Sequence, residues 1–209
     1  MKREDQKRNK ELENNIKLMM KECPKRYKQQ KLKKKDYMLW TIRGDMIYGI
    51  MPSAGIRESD LKPIMSFWIE YKPLWIDDIL WDVIGMESNK QEPDSLRVVG
   101  AFTVGAARIY LDTIELQSET PDYLESIFYE NIEKIMSSLD DLSEEKYIEY
   151  LYTGKYVDEF SKILVAIHHG DGNKIKELLE TIDSNGRFYN EGKSYKDWLV
   201  EYLNREQLI

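Results

Sequence analysis

Leu12, Ile16, Met19 and Cys23 recur at helical spacing through an otherwise charged stretch, which predicts an amphipathic helix carrying a single apolar stripe. The helical pattern stops at Pro24. Tyr37 to Ile42 and Met46 to Met51 are β-rich runs joined by Arg43-Gly44-Asp45, and a short glycine-containing loop between such runs marks a hairpin. Pro52-Ser53-Ala54-Gly55 interrupts the second run. A third strand is expected from Ile64 to Tyr71, where Phe67, Ile69 and Tyr71 alternate with Trp68 and Glu70. Leu96 to Val104 and Ala107 to Leu116 supply two more strand candidates.

Helical periodicity then dominates. Pro73 pre-sets the first turn of a short helix in which Trp75, Ile79 and Val83 line up beside Ile76, Leu80 and Ile84. Asp77 and Asp78 sit near its N-terminus, where the macrodipole favours carboxylates. Thr120-Pro121 opens a helix carrying Leu124, Ile127, Phe128, Ile132, Ile135, Met136 and Leu139, and Ser143 caps another that ends at Gly154. A helical hairpin follows. Its first arm presents Tyr156, Phe160, Ile163, Leu164 and Ile167, its turn is Gly170-Asp171-Gly172, and its second arm presents Ile175, Leu178, Leu179 and Ile182. Ser194 and Asp197 form a capping-box pattern ahead of Trp198, Leu199, Tyr202 and Leu203.

These elements predict an α+β protein: an N-terminal helix, a central antiparallel sheet of roughly four to six strands, and a helical C-terminal part. The expected division places helix and sheet in residues 1–118 and the helical region in 119–209, packed as one globular unit. Trp40, Phe67, Trp68, Trp75, Ile79 and Trp81 are the expected core or groove residues.

Composition narrows the class. The chain has 209 residues, is 42% hydrophobic and 33% charged, and contains 5 Trp and 14 Tyr, enough apolar and aromatic material for a packed core. The longest mainly apolar stretch, Val98 to Ala107, stops at Arg108, well short of the roughly 20 residues that span a bilayer. Met1-Lys2-Arg3-Glu4-Asp5 has no apolar stretch behind it of the kind a secretory signal needs, so a cytoplasmic protein is expected. A lone cysteine, Cys23, agrees with a reducing compartment.

Charge adds an asymmetry that the net value of -7 conceals. Residues 1–35 hold 14 Lys and Arg against 5 Asp and Glu, leaving 17 bases against 33 acids in the rest. A basic arm on an acidic body allows two readings. The lysines of residues 21–35 can track a phosphate backbone, or they can face water while the apolar stripe docks. An acidic body repels phosphate and favours docking, and it suits a basic protein partner.

Catalytic motifs do not assemble. Gly100 to Gly105 has the glycine spacing of a phosphate loop, but Ala106 and Ala107 stand where Lys and Ser or Thr are needed, so these glycines are expected to permit a bulge or close packing in the sheet. Ser53, between Pro52 and Ala54, does not make a nucleophile elbow, which requires glycine two residues on each side of the serine. Cys23 sits among Lys21, Lys25 and Arg26, which could lower its pKa, yet no general base accompanies it. His168 and His169 fall at a helix C-terminus, where a cation is favoured by the dipole. Neither His168 with Asp171 nor Asp78 with Asp82 completes a metal-ligand set. Arg43-Gly44-Asp45 is read as turn chemistry. No catalytic residue, cofactor or metal is expected.

The segment Tyr71-Lys72-Pro73-Leu74-Trp75-Ile76-Asp77-Asp78-Ile79-Leu80-Trp81-Asp82, followed by the helical hairpin with His169-Gly170-Asp171, resembles bacterial proteins of the domain-of-unknown-function family 4304 and related α+β immunity-type proteins. The resemblance follows the order of elements over most of the chain and is locally distinctive at Lys72-Pro73-Leu74-Trp75. It implies a small cytosolic protein that acts by binding a toxin, and assigns no residue a role. The resulting expectation is a non-enzymatic protein-binding protein with a basic partner. The expected contacts are Asp140, Asp141, Glu144 and Glu145, with Trp68 and Trp75 as an aromatic surface. The alternative is a nucleic-acid-associated protein using residues 21–35.

Overall fold

A computed structural model describes residues 3–100, 102–154, 159–182 and 192–208. The fold is α+β. Helix α1 (Arg3–Arg26) leads into strands β1 (Lys33–Lys35), β2 (Met38–Arg43), β3 (Met46–Ile56) and β4 (Pro63–Pro73). Helices α2 (Leu74–Val83) and α3 (Ser95–Val98) precede the short strands β5 (Ala107–Tyr110) and β6 (Ile114–Glu115). The described helices that follow are α4 (Pro121–Ser138), α5 (Glu144–Thr153), α6 (Glu159–His168), α7 (Gly172–Thr181) and α8 (Tyr195–Arg205). The chain divides into two compact units: Met1–Tyr71 with Arg108–Ser143, and Lys72–Ala107 with Glu144–Ile209.

The first unit is an antiparallel sheet with helices. Strands run in the order β1-β2-β3-β4-β5, and β6 also pairs with β4. Arg43 pairs with Met46 across the Gly44-Asp45 turn, and Gly44 takes φ +55°, a value glycine adopts without steric cost. Leu12, Ile16, Met20 and Cys23 of α1 are buried, so the apolar stripe is docked, with Met20 rather than Met19 inside. The helix runs on through Pro24 to Arg26, and Tyr27 donates its N–H to the Cys23 carbonyl at 3.0 Å. Phe67 of β4 and Phe128 of α4 meet at 6.2 Å between ring centroids, which ties α4 to the sheet.

Two expectations for strands are corrected. Pro52 to Gly55 does not interrupt β3, which continues to Ile56. Proline is tolerated because the β2 ladder ends at Leu39 opposite Ile50, so no strand stands where its missing N–H would donate. Leu96 to Val104 is no strand in its described residues: Ser95–Val98 form α3, and the chain beyond is held by side chains. Trp81 Nε1 donates to the Phe102 carbonyl at 2.7 Å, and the Val104 N–H reaches Asp77 Oδ1 at 2.8 Å. The Gly100 and Gly105 glycines therefore do not serve the sheet; at Gly100 the Leu96 carbonyl leaves no room for a Cβ. The lysine-only strand β1 has no apolar pattern to announce it.

The regular elements described in the second unit are mainly helices. Ile76, Leu80, Trp81 and Val83 of α2 are buried, as are Ile163, Leu164 and Ala166 of α6, Ile175 and Leu178 of α7, and Trp198, Leu199 and Leu203 of α8. Asp171 caps α7 by accepting the Lys174 N–H at 3.0 Å. Ser194 and Asp197 make the reciprocal bonds of a capping box at α8. Tyr156, read as the start of the first hairpin arm, lies outside the described residues.

Candidate functional site

Helix α1, the turn after β1 and the end of β3 enclose a groove of about 700 Å³ in the first unit. Its floor is apolar, from Ile16 and Met20 of α1 and Pro52 and Ala54 of β3. Three ammonium groups stand around it, from Lys17, Lys21 and Lys34, together with the Tyr37 ring, which is 61% exposed. Glu13 and Asp36 are the carboxylates present. The basic segment and the Pro52–Gly55 stretch are separate features of the sequence. Nothing in either pattern indicates that they line one concavity.

A second basin, of about 500 Å³, follows α4. Asp122, Glu125, Tyr129 and Glu133 share a helical face, and Glu130 borders it. Four carboxylates line the basin with one guanidinium, Arg26, which lies 4.0 Å over the Tyr129 ring and 3.8 Å from Glu133, while Glu130 pairs with Lys134 at 2.6 Å. Burial, chiefly, pushes the Tyr129 hydroxyl above its ordinary pKa.

The predicted contact residues are distributed over both units. Asp140 and Asp141 occupy the 3-10 turn that follows α4; Asp140 is exposed and pairs with Arg43 at 3.0 Å. Arg43 also donates to the Met136 carbonyl at 2.8 Å, which gives the arginine of the Arg43-Gly44-Asp45 turn a structural role. Glu144 and Glu145 open α5 in the second unit, with Glu144 3.7 Å from His168 Nε2. Trp68 is half-buried on β4, donates to Met51 Sδ at 2.9 Å and lies 6.1 Å from the Tyr110 ring. Trp75 belongs to the second unit, half-buried, its indole stacked on His168 at 3.8 Å with 2° between planes. Of the other expected core residues, Trp40, Phe67 and Trp81 are buried, while Ile79 is half-buried.

Other titratable groups are engaged structurally. Asp77 is buried with Lys72, whose Nζ is 2.9 Å from Oδ1 and 2.8 Å from Oδ2; burial pushes this carboxyl above its usual pKa while the ammonium opposes the shift. Its role is therefore larger than the dipole argument foresaw. Asp78 pairs with Arg97 at 2.6 Å and Asp82 with Lys90 at 2.5 Å. Arg57 holds Asp60 down to about 2 by hydrogen bonding, and Lys62, with Arg57, holds Glu115 below its ordinary value. Cys23 is corrected: burial drives its pKa up to about 12, outweighing the opposing effect of Arg26. Among the described residues no group of three or more His, Cys, Asp or Glu is arranged to hold a metal ion. None of the described helices is long and apolar enough to cross a membrane.

No protein-family model, curated protein or solved structure matches this chain.

Proposed function

We propose that this is a non-catalytic, immunity-type protein that binds a basic protein partner, with a basic toxin as the partner class its sequence resemblance implies. The observation that carries the reading is the α4 basin, where Asp122, Glu125 and Glu133 line one helical face with Tyr129 and Arg26, and Glu130, paired with Lys134, borders it. Asp140 and Asp141 extend the acidic run at the end of the helix. A surface of one sign steers an oppositely charged partner toward encounter and disfavours like-charged competitors. Glu144 and Glu145, on the second unit, are further candidate contacts.

The test is capture from the source cell with the wild type and with an Asp122→Lys/Glu125→Lys variant, both changes lying on the exposed side of α4. The expected result is a net-positive protein retained by the wild type and lost by the variant, with thermal unfolding showing that the variant is folded and lowered in stability only by about the 1 kcal/mol that a cation in the first turn of α4 costs. Equal retention of that protein by both contradicts the reading. The three exposed lysines of β1 favour a second reading, polyanion binding through residues 21–35. That reading requires oligonucleotide affinity to fall steeply with salt.

A further inference from the structure

We infer that the groove between α1 and the end of β3 is a docking site for an acidic extended peptide, which adds as a strand to the uncovered edge of β3. The site is distinct from the α4 basin and does not depend on that reading.

The edge follows from register. A two-residue hairpin closes on a hydrogen-bonded pair, here Arg43 with Met46, so alternate residues of β3 from Met46 onward turn their N–H and C=O toward β2. The ladder ends at Leu39 opposite Ile50, whereas β3 runs on to Ile56. The same parity turns Pro52, Ala54 and Ile56 toward the side β2 has vacated. Ile56 bears this out: its N–H is taken by Asn9 Oδ1 of α1 at 2.8 Å. Gly55 allows this approach, because a Cβ there would lie 2.7 Å from that oxygen. By this register the Pro52 carbonyl and both backbone groups of Ala54 are turned toward the groove that these two residues line. A half-buried edge of this kind is a template for another chain.

The surroundings choose the occupant. Lys17 and Lys21 project from α1 and Lys34 from β1, while Glu13 and Asp36 are the opposing carboxylates. Glu13 accepts from Asn9 at 2.7 Å, and Lys34 donates to the Asp36 carbonyl at 2.6 Å, which leaves the lysine two further N–H donors. Charge complementarity therefore favours carboxylates on the incoming strand. The floor of Ile16, Met20, Pro52 and Ala54 takes apolar side chains that alternate with them. An alternating acidic and apolar segment meets both requirements.

A fluorescein-labelled peptide alternating Glu and Val is the probe, read by anisotropy against the full chain. The account expects it to bind, and expects about a tenfold or greater loss of affinity when alternate peptide nitrogens are methylated, because strand addition uses those N–H groups. Lys17→Glu/Lys21→Glu should cost a similar factor, with thermal unfolding confirming that this exposed-position variant is folded. Oligo(dT) and a peptide alternating Lys and Val should bind more weakly. No binding of the acidic peptide, unchanged affinity on methylation, or tighter binding of oligo(dT) each overturns the inference.

Discussion

Lys72 and Asp77 form an ion pair closed off from water in the second unit, with the ammonium also donating to the Val104 carbonyl at 2.8 Å and the carboxylate accepting the Val104 N–H. The pair thereby fastens the segment before β5 to α2. Burying two charges is costly, and removing one leaves the other uncompensated. Asp77→Ala is expected to lose about 3–5 kcal/mol of stability in urea unfolding. Lys72→Met/Asp77→Leu should cost less than Asp77→Ala alone. A double variant less stable than the single one contradicts this account.

Trp81 and Trp75 should respond differently to truncation. Trp81 is 1% exposed and its indole N–H is satisfied by Phe102, so Trp81→Ala should cost about 3–5 kcal/mol. Trp75 is half-buried and stacks on the His168 ring, an aromatic pair worth about 1 kcal/mol beyond its area. Trp75→Ala should therefore destabilise less than Trp81→Ala. Equal losses in chemical denaturation would falsify this ranking.

The Cys23 thiol should be inert in the folded protein. With its pKa driven to about 12, almost no thiolate exists near neutrality, and the side chain is inaccessible. Ellman's reagent at pH 8 should react slowly with the native chain and promptly after denaturation. Native reactivity matching that of free cysteine contradicts the buried placement.

The Ser194 and Asp197 capping box and the Arg43-Gly44-Asp45 hairpin were legible because each rests on residues close together in the chain. So was the stripe of α1, displaced by one residue at Met20. What escaped detection depends on distant partners. Leu96 to Val104 has a strand-like composition, but Arg97 donates to the Leu74 carbonyl and Val104 bonds Lys72 and Asp77, interactions no local period reveals. The groove was hidden for the same reason, since it joins residues of α1 to β3 and to a strand made only of lysines. Asp140 and Asp141 fall in the first unit and Glu144 and Glu145 in the second, a division that no local pattern marks.

Acid titration should reveal the Arg57, Asp60, Lys62 and Glu115 cluster. Asp60 has a folded pKa of about 2, below the roughly 3.9 of an unfolded aspartate. A depressed carboxyl contributes stability that is present above its unfolded pKa and lost as pH falls through the folded one. The Asp60 contribution should thus disappear between roughly pH 4 and pH 2, with Glu115 acting in the same sense. In carboxyl-detected NMR, Arg57→Ala should move the Asp60 midpoint upward toward about 3.9. An unmoved midpoint contradicts the pairing.

The central claim, electrostatic recruitment of a basic protein by the α4 face, is tested most directly by the association rate of the captured partner across a salt series. Exposed charges are screened once the Debye length shrinks to about 8 Å, near 0.15 M ionic strength. The account predicts an on-rate that falls as salt rises for the wild type. It predicts a slower and flatter dependence for Asp122→Lys/Glu125→Lys, with both proteins folded at the assay temperature. An on-rate independent of salt, and identical in wild type and variant, contradicts the claim.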